Sequence, residues 1–186
     1  MSETIGRLGT AIAGLALIAF FVAFAPNFVT PINIINVLKD TSFLAILALG
    51  FALAFTVAEL DLSVAEVTSL AAVVSGWLVQ LMYPPALAVV AGLSVGIVFG
   101  AANGLGVTRL RIPSLIMTLG TAAIAKGCAF MITQGVAFLG RWPVAFTGLS
   151  RGSTFGVPNL ILWLGGVSLF AYLYQRPPFV TRETSR

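Results

Sequence analysis

The sequence contains no histidine, a single cysteine and few charged residues, and each shortage excludes a class of protein. Without histidine the chain cannot build a Ser-His-Asp or Cys-His catalytic site or a histidine-based zinc site. Cys128 has no second cysteine with which to form an intrachain disulfide. Only 9% of the 186 residues are charged, whereas a soluble domain carries about a quarter. We therefore expect a membrane protein with no catalytic residue and no metal site.

A phosphate-binding loop of the pattern G-x-x-x-x-G-K-[ST] is also missing, so we do not expect this chain to hydrolyse ATP by that route. We expect no cofactor in the chain itself, and any ATP that energises its action would be used by a partner subunit. The net charge of +4 is modest. We interpret it as a signal of membrane orientation and expect no nucleic-acid partner.

Long apolar runs dominate what remains. Hydrophobic residues make up 59% of the chain, and the mean hydropathy is +1.04. A helix that crosses a bilayer needs roughly 20 apolar residues, and these runs are continuous, whereas a membrane barrel needs alternation. The sequence therefore predicts an all-α fold, a polytopic transmembrane helical bundle with about six spans: 8–25, 41–60, 64–82, 86–107, 113–133 and 160–174.

The distribution of lysine and arginine between the predicted loops indicates the orientation of the bundle. With both termini inside (N-in/C-in), the inner side carries more basic residues than the outer side. The inner set is Arg7, Arg109, Arg111, Arg176, Arg182 and Arg186, and the outer set is Lys39, Arg141 and Arg151. On the outer side we expect a short interfacial helix within residues 26–40 and a long loop over 134–159. The first run ends in an A-x-A pattern, but its length favours an uncleaved span.

Glycine recurs at every fourth position along the fourth predicted span. This spacing places the glycines on one helix face, where a neighbouring backbone can approach closely. We interpret them as helix-packing positions rather than as a gating hinge: Gly92, Gly96, Gly100 and Gly104. Asn103 lies near one end of this span, and its amide must find hydrogen-bond partners in lipid. Helix packing and substrate contact both stay open for Asn103.

A polar segment, AELDLSVAE at residues 58–66, separates the second and third predicted spans. It carries three carboxylates, and an acid buried in a membrane needs a polar path or a cationic partner. Ser63 and Glu66 match the capping box S-x-x-E, which predicts that they cap the third span. For Glu59 and Asp61, capping and lining of a path are both consistent with their position.

The fifth predicted span places polar residues inside an apolar run. Lys126 lies at least about two helical turns from either end of its run, so its ammonium would reach the interface only with strain. We expect Lys126 to pair with a carboxylate or to line a path. The full set of candidate substrate-path or buried polar residues is Glu59, Asp61, Ser63, Asn103, Thr118 and Lys126.

Two segments carry a resemblance to a known family. LALGFALAFTVAELDLSVAEVTSLAA, residues 47–72, resembles the D-L-S-V-G region of monosaccharide ABC transporter permeases of the ribose/xylose/galactose type. GAANGLGVTRLRIPSLIMTLGTAAIAKG, residues 100–127, resembles their N-G…R-I-P-x-x-I-x-T-L-G-T segment, and the similarity extends over about residues 33–179. Ala65 stands where the family usually has glycine. The matched positions are Asp61, Leu62, Ser63, Asn103, Gly104, Ile112, Pro113, Thr118, Leu119 and Gly120.

The resemblance implies a multi-pass permease subunit in a bacterial inner (plasma) membrane. It implies three protein partners: a second permease subunit, a cytoplasmic ABC ATPase and a periplasmic sugar-binding protein. After Phe179 the resemblance stops, and the family's ATPase-docking segment has no counterpart. We therefore expect a permease domain over 1–179, the N-terminal half of such a protein, and an atypical polar tail over 180–186. We also expect a truncated copy that does not support sugar uptake alone.

Two other functions are consistent with the same residues. A branched-chain amino-acid-type ABC permease is the nearest alternative, although the D-L-S-V run favours sugar. A non-transporting membrane scaffold would need the glycine face but not Glu59, Asp61 and Lys126. An intramembrane enzyme is disfavoured, because histidine is absent and no paired aspartates face each other on two helices.

Overall fold

The computed structural model describes residues 2–139 and 142–174, and most of them lie in α-helices. The elements are α1 Ser2–Phe24, α2 Pro31–Phe55, α3 Val64–Gln80, α4 Pro85–Thr108, α5 Ser114–Thr133, α6 Val144–Arg151, β1 Ser153–Thr154, β2 Val157–Pro158 and α7 Asn159–Tyr174. By length and apolar composition, α2, α4 and α5 are each sufficient to cross a membrane. This confirms a helical membrane protein, and the only departure from all-α among the described residues is the two-residue antiparallel pair β1–β2.

The chain divides into two compact units, Met1–Thr41 and Ser42–Arg186. In the first unit, residues 25–30 turn the chain between α1 and the start of α2. Asn27 occupies the left-handed region with φ of 66°, which asparagine tolerates better than most residues. The ring of Phe21 stacks on that of Phe28 with centroids 5.5 Å apart, and Thr30 Oγ1 donates to the Asn27 carbonyl.

The prediction of a separate interfacial helix within residues 26–40 is wrong. Instead α2 begins at Pro31 and continues without a break to Phe55. Proline suits the first position of a helix because its missing N–H has no intrahelical acceptor there. Polar residues of the first turns, such as Asn33 and Asn36, therefore extend a membrane helix rather than form an element of their own. The predicted second span also ends early, at Phe55 instead of residue 60.

The core of the second unit lies between α3, α4 and α5. Leu70 of α3 packs with Ala125 and Ala129 of α5, and valines of α3 and α4 surround them. Alanines on the inner face of α5 let the two helices approach closely. The polar contacts described below follow one another in the same order along α3 and α5, so these two helices run parallel. The helix between them in the chain, α4, runs in the opposite direction.

The predicted outer loop at 134–159 contains structure of its own. After α5 ends at Thr133, α6 and the β1–β2 hairpin precede α7. Asn159 ties them together, because its Nδ2 donates to the Gly148 carbonyl and its Oδ1 accepts from Thr154. Trp163 Nε1 of α7 donates to the Leu149 carbonyl of α6 at 3.0 Å. The predicted polar tail at 180–186 lies outside the described residues.

Candidate functional site

The link between α2 and α3, residues 56–63, is not helical over most of its length. Ala58 has a φ of 60°, in the left-handed region that costs an alanine about 1 kcal/mol or more. After this bend the chain passes beside the start of α5 and then enters α3 at Val64. The link therefore carries backbone N–H and C=O groups with no helical partner, and each needs another source of hydrogen bonds.

A chain of polar side chains joins this link to α4 and α5. Asp61 Oδ1 accepts from both the N–H and the hydroxyl of Ser63, at 2.8 and 2.6 Å. Ser63 Oγ accepts from Asn103 Nδ2 of α4 at 2.9 Å, and Asn103 Oδ1 accepts from Thr121 of α5 at 2.8 Å. Ser63, Asn103 and Thr121 are all buried. We name Asp61, Ser63, Asn103 and Thr121 the polar network.

Thr118 of α5 makes further hydrogen bonds to the link. Its Oγ1 accepts from the Leu62 N–H at 3.3 Å and lies 3.3 Å from the Leu60 carbonyl. Ser114 Oγ, one turn earlier on α5, accepts from the Leu60 N–H at 3.4 Å. These bonds are long and individually weak. Together they provide α5 partners for the backbone of Leu60 and Leu62, whereas the N–H groups of residues 56–59 bond back to carbonyls of α2.

The predicted capping box at Ser63 and Glu66 is wrong. Ser63 does occupy the N-cap position of α3, but its side chain makes no capping hydrogen bond. Its hydroxyl serves Asp61 and Asn103 instead. For Asp61, capping and path lining were both predicted as possible roles. Its carboxylate accepts the Ser63 N–H two residues on, in an Asx-type turn just before α3.

Glu66 pairs with Lys126 instead of capping α3. The Lys126 Nζ and Glu66 Oε1 atoms are 3.7 Å apart, and the two side chains are 74% and 34% exposed. The expected pairing of Lys126 with a carboxylate is thus present. Glu59 is partly buried, and its carboxylate has no polar partner within residues 2–139 and 142–174.

The four glycines that recur at every fourth position of α4 divide into two groups. Gly92 is buried, and a Cβ there would overlap Ser75 Oγ and lie 3.2 Å from the Ala71 carbonyl of α3. A Cβ at Gly96, Gly100 or Gly104 would meet no atom within 4 Å in the described part of the chain. Only Gly92 therefore packs α4 against α3 here. For the other three glycines, helix packing stays a prediction.

The structure thus brings Asp61, Ser63, Asn103 and Thr118 together and leaves Lys126 on a neighbouring face with Glu66. Thr121 belongs to the polar network, although it was not among the candidate site residues. The available signal was its spacing of three from Thr118, which places both hydroxyls on one face of α5. The hydroxyl, amide and carboxylate groups of the polar network are bonded to one another. Within the described residues, no three His, Cys, Asp or Glu side chains lie close enough to hold a metal ion.

Comparison with known proteins places this geometry in context. Residues 33–176 match the family described as the branched-chain amino acid transport system permease component. The L-arabinose ABC transporter permease protein AraH of Azospirillum brasilense is 29% identical over 179 residues, which cover 95% of this chain and 52% of AraH. The ribose import permease protein RbsC of Escherichia coli K12 is 32% identical over 168 residues, which cover 88% of this chain and 52% of RbsC.

A third relative broadens the range of named substrates. The autoinducer 2 import system permease protein LsrC of Enterobacter sp. strain 638 is 31% identical over 154 residues, covering 83% of this chain and 45% of LsrC. The chain spans about half the length of the curated relatives it matches. No solved structure matches it.

Proposed function

Because this chain belongs to the branched-chain amino acid transport system permease component family, we propose that it is a permease subunit of an ABC importer and forms part of a monosaccharide path. The polar network on the non-helical link carries the proposal. In a membrane, irregular backbone is tolerated where protein buries it or where it lines a water-filled cavity. Protein buries part of the link, since Ser63 is 2% exposed, and we propose that a polar path borders the rest.

A sugar fits this site better than a branched-chain amino acid. Its hydroxyl and amide groups are bonded to one another in this conformation, and we propose that they exchange these partners for sugar hydroxyls during transport. An amino acid would need a partner for its carboxylate, but the nearby side chains of the link, Glu59 and Asp61, are acidic. The relatives named for ribose and arabinose support the same choice.

The proposal includes the arrangement and partners of the subunit. Six spans with both termini inside would place Arg109 and Arg111 on the cytoplasmic face of a bacterial inner membrane. A second permease subunit would complete the path, a cytoplasmic ABC ATPase would use the ATP, and a periplasmic binding protein would deliver the sugar. No chemical step is assigned to the chain, so we propose that it is not an enzyme.

Uptake by the cells that carry this chain tests the proposal. The coding sequence is deleted, and entry of radiolabelled D-ribose, D-xylose, D-galactose, L-arabinose and L-leucine is measured. We expect the initial uptake rate of at least one sugar to fall about tenfold, because the path loses one of its walls. The wild-type chain and the matched control Ser94→Ala should restore uptake, since Ser94 bonds only to its own helix.

The alternatives predict other outcomes. A triple variant, Glu59→Gln with Asp61→Asn and Lys126→Met, should fail to restore sugar uptake if these residues line the path. A scaffold would tolerate the triple variant. Loss of leucine uptake with normal sugar uptake would instead identify an amino-acid permease, and unchanged uptake of all five solutes would contradict the proposal.

A further inference from the structure

The Glu66–Lys126 pair lies deep within the bundle along the membrane normal. Along α5, Ser114 and Thr118 contact the link and Lys126 contacts Glu66, so the depth of these contacts follows the helix. Lys126 is twelve residues from the start of α5 and seven from its end. At about 1.5 Å per residue these separations are roughly 18 and 10 Å. If α5 crosses the bilayer over its whole length, these separations place Lys126 within the hydrocarbon zone.

The Lys126 side chain does not reach the nearer interface. Side chains on a helix tilt toward its N-terminus, which here is the more distant end of α5. Glu66, the observed partner, lies three residues beyond Ser63 on α3, one turn past the level of the polar network and still short of the end of α5 at Thr133. The Lys126 side chain is 74% exposed, and the 3.7 Å contact of its ammonium to one Glu66 carboxylate oxygen is loose. Within the described residues neither charge has a second polar partner, and a charge facing hydrocarbon is costly.

We propose that Glu66 and Lys126 face water inside the membrane and form a contact station for a neutral, polyhydroxylated solute. The carboxylate accepts hydrogen bonds from hydroxyl groups, and the ammonium donates them. Because the two charges cancel, an uncharged solute can bond to both without separating them, whereas an anion or a cation would have to displace one member and leave the other uncompensated. This station rests on the proposed function, and it lies on α3 and α5 beyond the polar network.

Chemical labelling in membrane vesicles that contain the full chain tests water access. Native Cys128 is first replaced by serine, so that each variant carries one thiol. Ser69→Cys reports on the station, since Ser69 is exposed and lies one turn after Glu66 on α3. Ile124→Cys is the control, because Ile124 is exposed at a similar depth but about 160° around α5 from Lys126.

A charged, membrane-impermeant methanethiosulfonate is the probe. We expect the Ser69 variant to react about tenfold faster than the Ile124 variant, because a thiolate and a charged reagent meet only in water. Equal slow reaction of both thiols would overturn the proposal, whether lipid or another protein covers the pair. Labelling is independent of uptake, so failure of the station and failure of the transport proposal are separate results.

Protection experiments test the solute. D-ribose and L-arabinose, but not the anion D-ribonate, should slow labelling of the Ser69 variant about twofold or more, because ribonate would have to take Lys126 from Glu66 and leave that carboxylate uncompensated. The protection should disappear when Glu66→Gln or Lys126→Met is added. Absence of protection by either sugar, equal protection by ribonate, or protection that survives both substitutions would overturn the assignment.

Discussion

At the scale of the residue, the Asn103 amide has a separate task at each end. Its nitrogen donates to Ser63 and its oxygen accepts from Thr121, so one side chain connects the link, α4 and α5. A carboxylate at this position would lose the donor, and an apolar residue would lose both functions. Among the described residues no buried side-chain polar atom lacks a partner, so the network is complete as it stands.

Replacement of Asn103 by leucine should lower the free energy of unfolding by about 1 kcal/mol. The loss is modest because Ser63 keeps its bond to Asp61 and Thr121 keeps backbone acceptors on its own helix. Unfolding of the purified chain in detergent, titrated with dodecyl sulfate, measures it. The control Ser94→Ala on the same helix should change the value by less than about 0.5 kcal/mol. Equal effects of the two substitutions would contradict a bridging role.

The sequence indicated which polar residues are buried better than it indicated which of them bond to one another. Asp61, Ser63, Asn103 and Thr118 stand out in the sequence because polar groups are rare in apolar runs. The capping box failed because a serine hydroxyl uses whichever acceptor tertiary packing provides, and Asn103 is forty residues away in the chain. Local spacing contains no information about that contact.

At the scale of the element, prolines and polar turns marked the helix boundaries, whereas the packing of each helix face depended on which neighbouring helix lay against it. Proline and polar turns predicted α3, α4, α5 and α7 to within a few residues. The start of α2 was missed because its first turns are polar, although nothing in residues 31–55 interrupts a helix. The glycine spacing on α4 predicted a contact face, but of the four spaced glycines only Gly92 meets a neighbouring helix within the described residues, whereas Gly106, outside that spacing, faces Met117 of α5.

Two matched substitutions on α4 distinguish these glycines. Gly92→Ala should lower the free energy of unfolding by about 1 kcal/mol, since the new methyl group displaces the Ser75 hydroxyl from its bond to the Ala88 carbonyl. Gly100→Ala should leave stability unchanged or raise it by up to about 1 kcal/mol through helix propensity. The same detergent titration compares the two variants. A larger loss for Gly100→Ala would show that its face is packed in solution.

At the scale of the whole molecule, the link (residues 56–63) and the turn between α4 and α5 lie at the same end of the bundle formed by α3, α4 and α5. The link reaches the first turns of α5, and Arg109 and Arg111 fall in the turn just before α5. Both segments fall on the inner side of the predicted topology, which stays a prediction. Charge bias is the part of the prediction that assigns this end to the cytoplasm.

Single-cysteine labelling in cells with a permeabilised outer membrane checks the orientation. In the Cys128→Ser background, Phe155→Cys should react with an impermeant maleimide, because Phe155 lies exposed in the predicted periplasmic hairpin. Leu110→Cys should react only after the inner membrane is opened, since its two flanking arginines favour the cytoplasmic side. The background without a new cysteine should show no signal. The opposite pattern would reverse the topology.

The short connection between α3 and α4 has a consequence for how the chain enters the membrane. Residues 81–84 alone join the two helices, so α3 and α4 form an antiparallel hairpin. In that hairpin Ser63 and Asn103 can bond before α5 is synthesised, so we expect each to shield a polar group of the other from lipid during insertion. Thr121 arrives last and occupies the remaining end of the amide. The order of translation is therefore also the order in which this part of the membrane protein can satisfy its polar groups.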